Sequence, residues 1–164
     1  MLAYILLALL ALFDRTLAGP TTFRKYKAGC TALIEEQPWH ITNLITFQTH
    51  AGVRNRSSYI SFDFKDVNKG LELTTSCNRT LPVGSNATLS DARYHHCVNQ
   101  SVNFVFENGV VSLERYFEDP CIGDYPYNSA IAYGHATPLF NSTKVSAGVF
   151  STQIEMEVPV SSMS

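Results

Sequence analysis

The 164 residues are short of charge, of any bias in its sign, and of catalytic signatures. Charged residues make up only 16%, with 12 Lys and Arg against 14 Asp and Glu. No global basic field therefore exists to hold nucleic acid or an anionic membrane. Neither a Gly-x-Ser-x-Gly elbow nor a His-Glu-x-x-His pair occurs, and phosphate-binding and dinucleotide glycine loops are missing as well. Helical periodicity is scarce. Apolar runs stop short of a bilayer: the longest, Leu2–Phe13, covers about 18 Å as a helix against a hydrocarbon core of ~30 Å. What remains is 45% hydrophobic and 12% aromatic, which argues against disorder, and the length suits one ordinary domain.

The short apolar run reads as an export signal. Asp14 and Arg15 close it, and Thr16-Leu17-Ala18 places small residues at both positions a signal peptidase reads. Cleavage after Ala18 leaves Gly19–Ser164, 146 of the 164 residues. The tail 161–164 is polar and follows no second apolar segment, so neither a GPI signal nor a membrane anchor is expected. Five Asn-x-Ser/Thr triplets, at Asn55, Asn78, Asn86, Asn99 and Asn141, fit the same route. Ten asparagines in this composition would give about two such triplets by chance. The expected product is a secreted, extracellular glycoprotein, and oxidising export makes the four cysteines disulfide partners rather than zinc ligands.

Period-two alternation recurs along the mature chain. Ile60, Phe62 and Phe64 alternate with Ser61 and Asp63, and Val102, Phe104 and Phe106 alternate with Asn103 and Val105. Asn108-Gly109 between Phe106 and Val111 is the pair a type I′ hairpin turn prefers. Trp39, Ile41, Ile45 and Phe47 are expected on one face of a strand, and Phe150, Thr152, Ile154, Met156 and Val158 on the buried face of another. The expectation is all-β: one antiparallel β-barrel or sandwich of short strands. It divides into a signal peptide (1–18), a loose arm (19–29), the β domain (30–160) and the polar tail (161–164).

Four cysteines allow three connectivities. Cys77 and Cys97 end strand-like runs and flank one polar loop, so they pair naturally, and Cys30 then takes Cys121. The rival arrangement keeps Cys30 and Cys121 for an intermolecular bridge.

One Trp in an early strand, the run Cys77…Tyr94-His95-His96-Cys97 and the following Val102-Asn103-Phe104-Val105-Phe106 come in an order that resembles the Alternaria major-allergen family. These are small secreted β-barrel proteins of filamentous fungi. The resemblance covers roughly Cys30–Val158. It implies a fungal extracellular protein of the allergen or effector type, acting on a plant host, with host defence proteins, small phenolic ligands or a second copy as partners. The family's covalent homodimer uses an N-terminal cysteine beside a second C-terminal cysteine pair. Here only Cys121 lies in that region, so a Cys30–Cys121 bond leaves no thiol for that dimer.

No catalytic residue, cofactor or metal site is expected. His95 and His96 are adjacent and so face opposite sides of a strand, which prevents them from chelating one ion. Glu114, Glu118, Asp119 and Asp124 read as surface acids, Arg24-Lys25-Tyr26-Lys27 as a solvated arm, and Arg54 and Arg56 as an exposed turn. Tyr125, Tyr127 and Tyr133 are the binding candidates, because tyrosine offers apolar area and a hydroxyl at low entropy cost. Glycans at Asn78, Asn86 and Asn99 would shield the Cys77–Cys97 region. A partner surface is then expected on the Cys121–Tyr133 loop or the Phe150–Val158 strand. Two other functions fit a cavity-bearing barrel: a carrier of a small hydrophobic metabolite, and an isomerase or cyclase of secondary metabolism with a polar residue among its inward set.

Overall fold

The structure is a computed structural model describing residues 29–164; the expected signal segment and residues 19–28 of the expected arm lie outside the described residues. Ten strands follow: β1 (Trp39–Thr49), β2 (Tyr59–Asp66), β3 (Leu73–Thr80), β4 (Asp91–His96), β5 (Val102–Glu107), β6 (Val110–Glu118), β7 (Ser129–Ala136), β8 (Asn141–Val145), β9 (Gly148–Val158) and β10 (Val160–Met163). No helix occurs among the described residues, and so none long and apolar enough to cross a membrane.

Two antiparallel five-stranded sheets form, one ordered β3-β2-β1-β9-β8 and the other β10-β7-β6-β5-β4. No strand pairing joins them, so the architecture is a sandwich and the barrel alternative is corrected. The reason lies between the sheets. Trp39, Phe62, Phe64 and Phe104 are fully buried there, and Phe62 of β2 meets Phe104 of β5 edge-on at 5.1 Å. Each such side chain contributes roughly 1.5–3 kcal/mol on burial, and the gain comes from face-to-face packing. Rings of this size fill the interior that a closed barrel would have left for a ligand. Gly134 of β7 marks one close approach. A Cβ there would stand 3.0 Å from Trp39 Cζ3 and 2.8 Å from the Pro159 carbonyl oxygen.

The alternating runs at Ile60–Phe64 and Val102–Phe106 become β2 and β5, inner faces as expected. Asn108 and Gly109 both take positive φ in the β5–β6 turn, the conformation a type I′ hairpin demands. In β1 the alternation breaks. Asn43 adopts φ 55° at a bulge against β2, and its amide donates to Asp63 Oδ2 at 3.0 Å. The extra residue exchanges the faces of everything beyond it. Trp39 and Ile41 point inward, then Leu44 and Thr46, which leaves Ile45 and Phe47 on the outer face rather than inside. The expected buried face of β9 is corrected for the same reason. Ile154, between the pairs that flank Asn43, is 84% exposed, and Ser151 is buried instead.

Both expected disulfides are present and no cysteine is free, which overturns the intermolecular alternative. Cys77–Cys97 joins the edge of one sheet to the edge of the other. Cys30–Cys121 ties the segment before β1 to the β6–β7 loop. Two disulfides suit an oxidising or extracellular environment. The tail 161–164 is polar as expected, yet it is ordered: β10 pairs with β7, and Ser164 exchanges two backbone hydrogen bonds with Ile131 at 3.0 and 2.9 Å.

Candidate functional site

The β6–β7 loop, residues 119–128, is held at its base and exposed at its tip. Asp119 is buried and acts as the clamp: its carboxylate accepts from Cys121 N at 2.8 Å and Leu33 N at 2.7 Å. Its own N–H donates to the Asn128 carbonyl at 2.7 Å, closing the loop. The expectation of a surface acid at Asp119 is corrected: a carboxylate satisfying backbone donors inside a loop reads like any other acid along the chain. Above the clamp, Tyr127 N donates to the Asp124 carbonyl at 2.7 Å, and Gly123 leaves room for the Tyr127 backbone.

This base projects Tyr125 and Tyr127, 87% and 82% exposed, into solvent. They are two of the largest apolar side chains the described surface offers. Tyr133 is not brought to them. It is half-buried on the outer face of its sheet, five residues along β7 from the end of the loop, about 17 Å at ~3.4 Å per residue. There it stands opposite Glu114, in a polar row with Asn103 and His96; Asn103 Oδ1 lies 2.6 Å from His96 Nδ1. Beside the loop an open groove of about 690 Å³ runs along Cys30–Ile34, floored by Phe117, Ile122, Ala130 and Met163.

Behind the loop lies a buried polar cluster that the strand patterns alone did not force. Arg115, on the inner face of β6, contacts the Asp66 carboxylate directly, approaches Glu35 Oε1 at 3.4 Å and donates to the Leu71 carbonyl. Glu35 also accepts from Trp39 Nε1 at 2.9 Å and Asn68 Nδ2 at 2.6 Å. Asn68 donates to Asp66 Oδ1 and accepts from Gln37 N at 2.7 Å. Burial pushes the Glu35 carboxyl above the ordinary carboxylate range, against the Trp39 hydrogen bond, the Arg115 charge and Asn68. Burial likewise lowers Arg115, opposed by Glu35. The cluster docks the segment before β1 onto both sheets, with Arg115 Nε buried and without a hydrogen-bond partner. Signals for it existed: Arg115 continues the inward alternation Val111, Leu113, and Asp66 continues Phe62, Phe64.

The histidines face as expected, His96 out and His95 in. His95 packs on Phe104 at 5.8 Å, with Nε2 buried and lacking a hydrogen bond. Burial, followed by the Arg79 charge, depresses its pKa, while Asp91 opposes the shift. No group of three or more His, Cys, Asp or Glu able to hold a metal occurs among the described residues. All five sequon asparagines are exposed. Asn55 and Asn86 sit in loops at the end opposite the β6–β7 loop, Asn78 and Asn141 on the outer face of the first sheet, and Asn99 in the β4–β5 turn. Arg54 and Arg56 are exposed in the β1–β2 loop, as expected.

No family model, curated protein or solved structure matches the chain.

Proposed function

We propose that this chain is a secreted fungal glycoprotein of the allergen and effector type, resembling the Alternaria major-allergen family, that works by binding rather than catalysis. Its contact residues are Tyr125 and Tyr127, and its partner is an extracellular protein of the host. The observation that carries the reading is a tyrosine pair held almost fully in solvent on a loop tied down by Asp119 and the Cys30–Cys121 bond. Exposed tyrosines on an ordered base lose little freedom on docking, so more of their contact energy survives as affinity. Four of the five sequons lie away from this loop, and the fifth, Asn99, is in the β4–β5 turn rather than in the loop itself. The test is capture of a host extracellular protein by the mature domain, compared with a Tyr125→Ala, Tyr127→Ala double variant. Capture is expected to disappear in the variant; equal capture rejects this face.

The groove beside Cys30 favours a second reading, uptake of a small apolar or phenolic ligand against Phe117, Ile122 and Met163. Native mass spectrometry of the secreted protein should then show a bound mass, and a clean unliganded mass counts against it.

A further inference from the structure

The Asn43 bulge has a consequence on the outer face of the first sheet. Beyond it, Phe47 points outward and pairs on one side with Tyr59 of β2 and on the other with Phe150 of β9. Three aromatic residues thus stand in one cross-strand row, Thr143–Phe150–Phe47–Tyr59–Thr80. Phe47 and Tyr59 rings lie 6.0 Å apart. With Val145 they line an open groove of about 640 Å³.

The neighbouring outward row runs Asn141–Thr152–Ile45–Ser61–Asn78. Both of its ends are sequon asparagines, and both are exposed. Asn141 is the diagonal cross-strand neighbour of Phe150, and Asn78 of Tyr59, a separation of about 7–8 Å. The two asparagines stand four strands apart, ~19 Å, with the aromatic row beside the line between them. A sugar on either asparagine therefore starts from a position diagonal to an aromatic residue of the row.

We infer that the N-acetylglucosamine residues attached at Asn141 and Asn78 fold back over the Phe150–Phe47–Tyr59 row and cover it. The chemistry is complementary. A pyranose presents one face of C–H bonds, which packs on an aromatic ring, while its hydroxyl and acetamido groups stay in water. An outward aromatic row is thereby covered by the chain's own modification. This inference rests on the reading of the protein as a secreted glycoprotein, and it adds what two of the sugars do.

The experiment uses protein secreted from a eukaryotic host, in three forms: intact, trimmed on the folded protein to one N-acetylglucosamine per site, and fully deglycosylated. Peptide mapping establishes occupancy, and binding of an apolar fluorescent dye reports exposure of the row. Intact and trimmed forms are expected to bind little dye. Full deglycosylation should raise binding at least threefold, and Phe47→Thr with Phe150→Thr should abolish the rise. In the trimmed form, the sugar protons at Asn141 should show ring-current shifts that Phe150→Thr removes. Occupied Asn141 and Asn78 with unchanged dye binding on full deglycosylation would overturn the inference and leave the glycoprotein reading intact. So would occupancy confined to other sequons, or a glycosylated dimer that buries the row. A chain that is exported by no eukaryotic host, or carries no glycan at all, overturns both.

Discussion

Removing the Arg115 guanidinium is the perturbation whose cost follows most directly from the structure. Arg115→Met keeps the length and apolar stem of the side chain while stranding two carboxylates, Glu35 and Asp66, whose side chains have no solvent exposure. Breaking a buried ion pair from one side costs about 3–5 kcal/mol, because the partner's charge stays buried without compensation. Against a total stability of about 5–15 kcal/mol this is a large fraction. For a domain of this size it corresponds to roughly 10–20 °C in Tm. The cost must also depend on pH. Glu35 already has a raised pKa in the folded state, so its favourable contribution is complete below the ordinary glutamate value of about 4.3 and is lost as pH rises through the folded value. Without Arg115 that folded value climbs further, so the variant should be far worse at pH 7 than at pH 4. Adding Glu35→Gln should return at least about 1 kcal/mol at pH 7, since the two sites are coupled. Urea unfolding at the two pH values, with disulfides intact, measures all of this. A loss below about 1 kcal/mol, the worth of an exposed pair, or one that does not change with pH, would refute the reasoning.

Further outcomes follow from other parts of the sandwich. His95 has a depressed pKa, so its contribution is present above the ordinary histidine value of about 6.5 and is lost as pH falls through the folded value. His95→Phe should therefore flatten the decline in Tm on acidification below that value, relative to wild type; a parallel decline would contradict the burial argument. Replacing Cys77 and Cys97 together by Ala should cost ~3 kcal/mol, and replacing Cys30 and Cys121 between 4 and 5, roughly, as loops of 20 and 91 residues are released. Chemical denaturation ranks the two, and the reverse order would show that chain entropy is not what these bonds supply. Gly134→Ala should destabilise, because its Cβ meets the Pro159 carbonyl and Trp39 at a point where neither has room to retreat. A Tm equal to wild type would show that the sheets can move apart there.

The parts of the fold legible in the sequence are those set by one strand's own alternation. Ile60, Phe62 and Phe64 read correctly because nothing interrupts the pleat between them, and Asn108-Gly109 read correctly because its φ values are a local requirement. Ile45, Phe47 and Ile154 did not, because a single residue at Asn43 with positive φ exchanges the faces beyond it, and asparagine occurs in many other settings. The barrel alternative fell to the size of the rings at Trp39, Phe62, Phe64 and Phe104, which pack between two sheets rather than around a cavity. Of the candidate site, Tyr125 and Tyr127 were legible as aromatics in a Pro- and Gly-rich loop. Tyr133 was separated from them only by the paired strand that carries it away. The Asp119 clamp and the Glu35–Asp66–Arg115 cluster join positions distant in sequence. Their partners are chosen by how the segment before β1 docks, which no spacing along the chain encodes.

Capture of a host extracellular protein tests the binding account most directly, when the intact mature domain and the Tyr125→Ala, Tyr127→Ala variant are compared side by side. Both side chains are more than four-fifths exposed, so the variant should unfold at the same urea concentration as wild type. The account predicts one partner retained by the wild-type domain and lost by the variant at equal stability. Retention of that partner by both would contradict it.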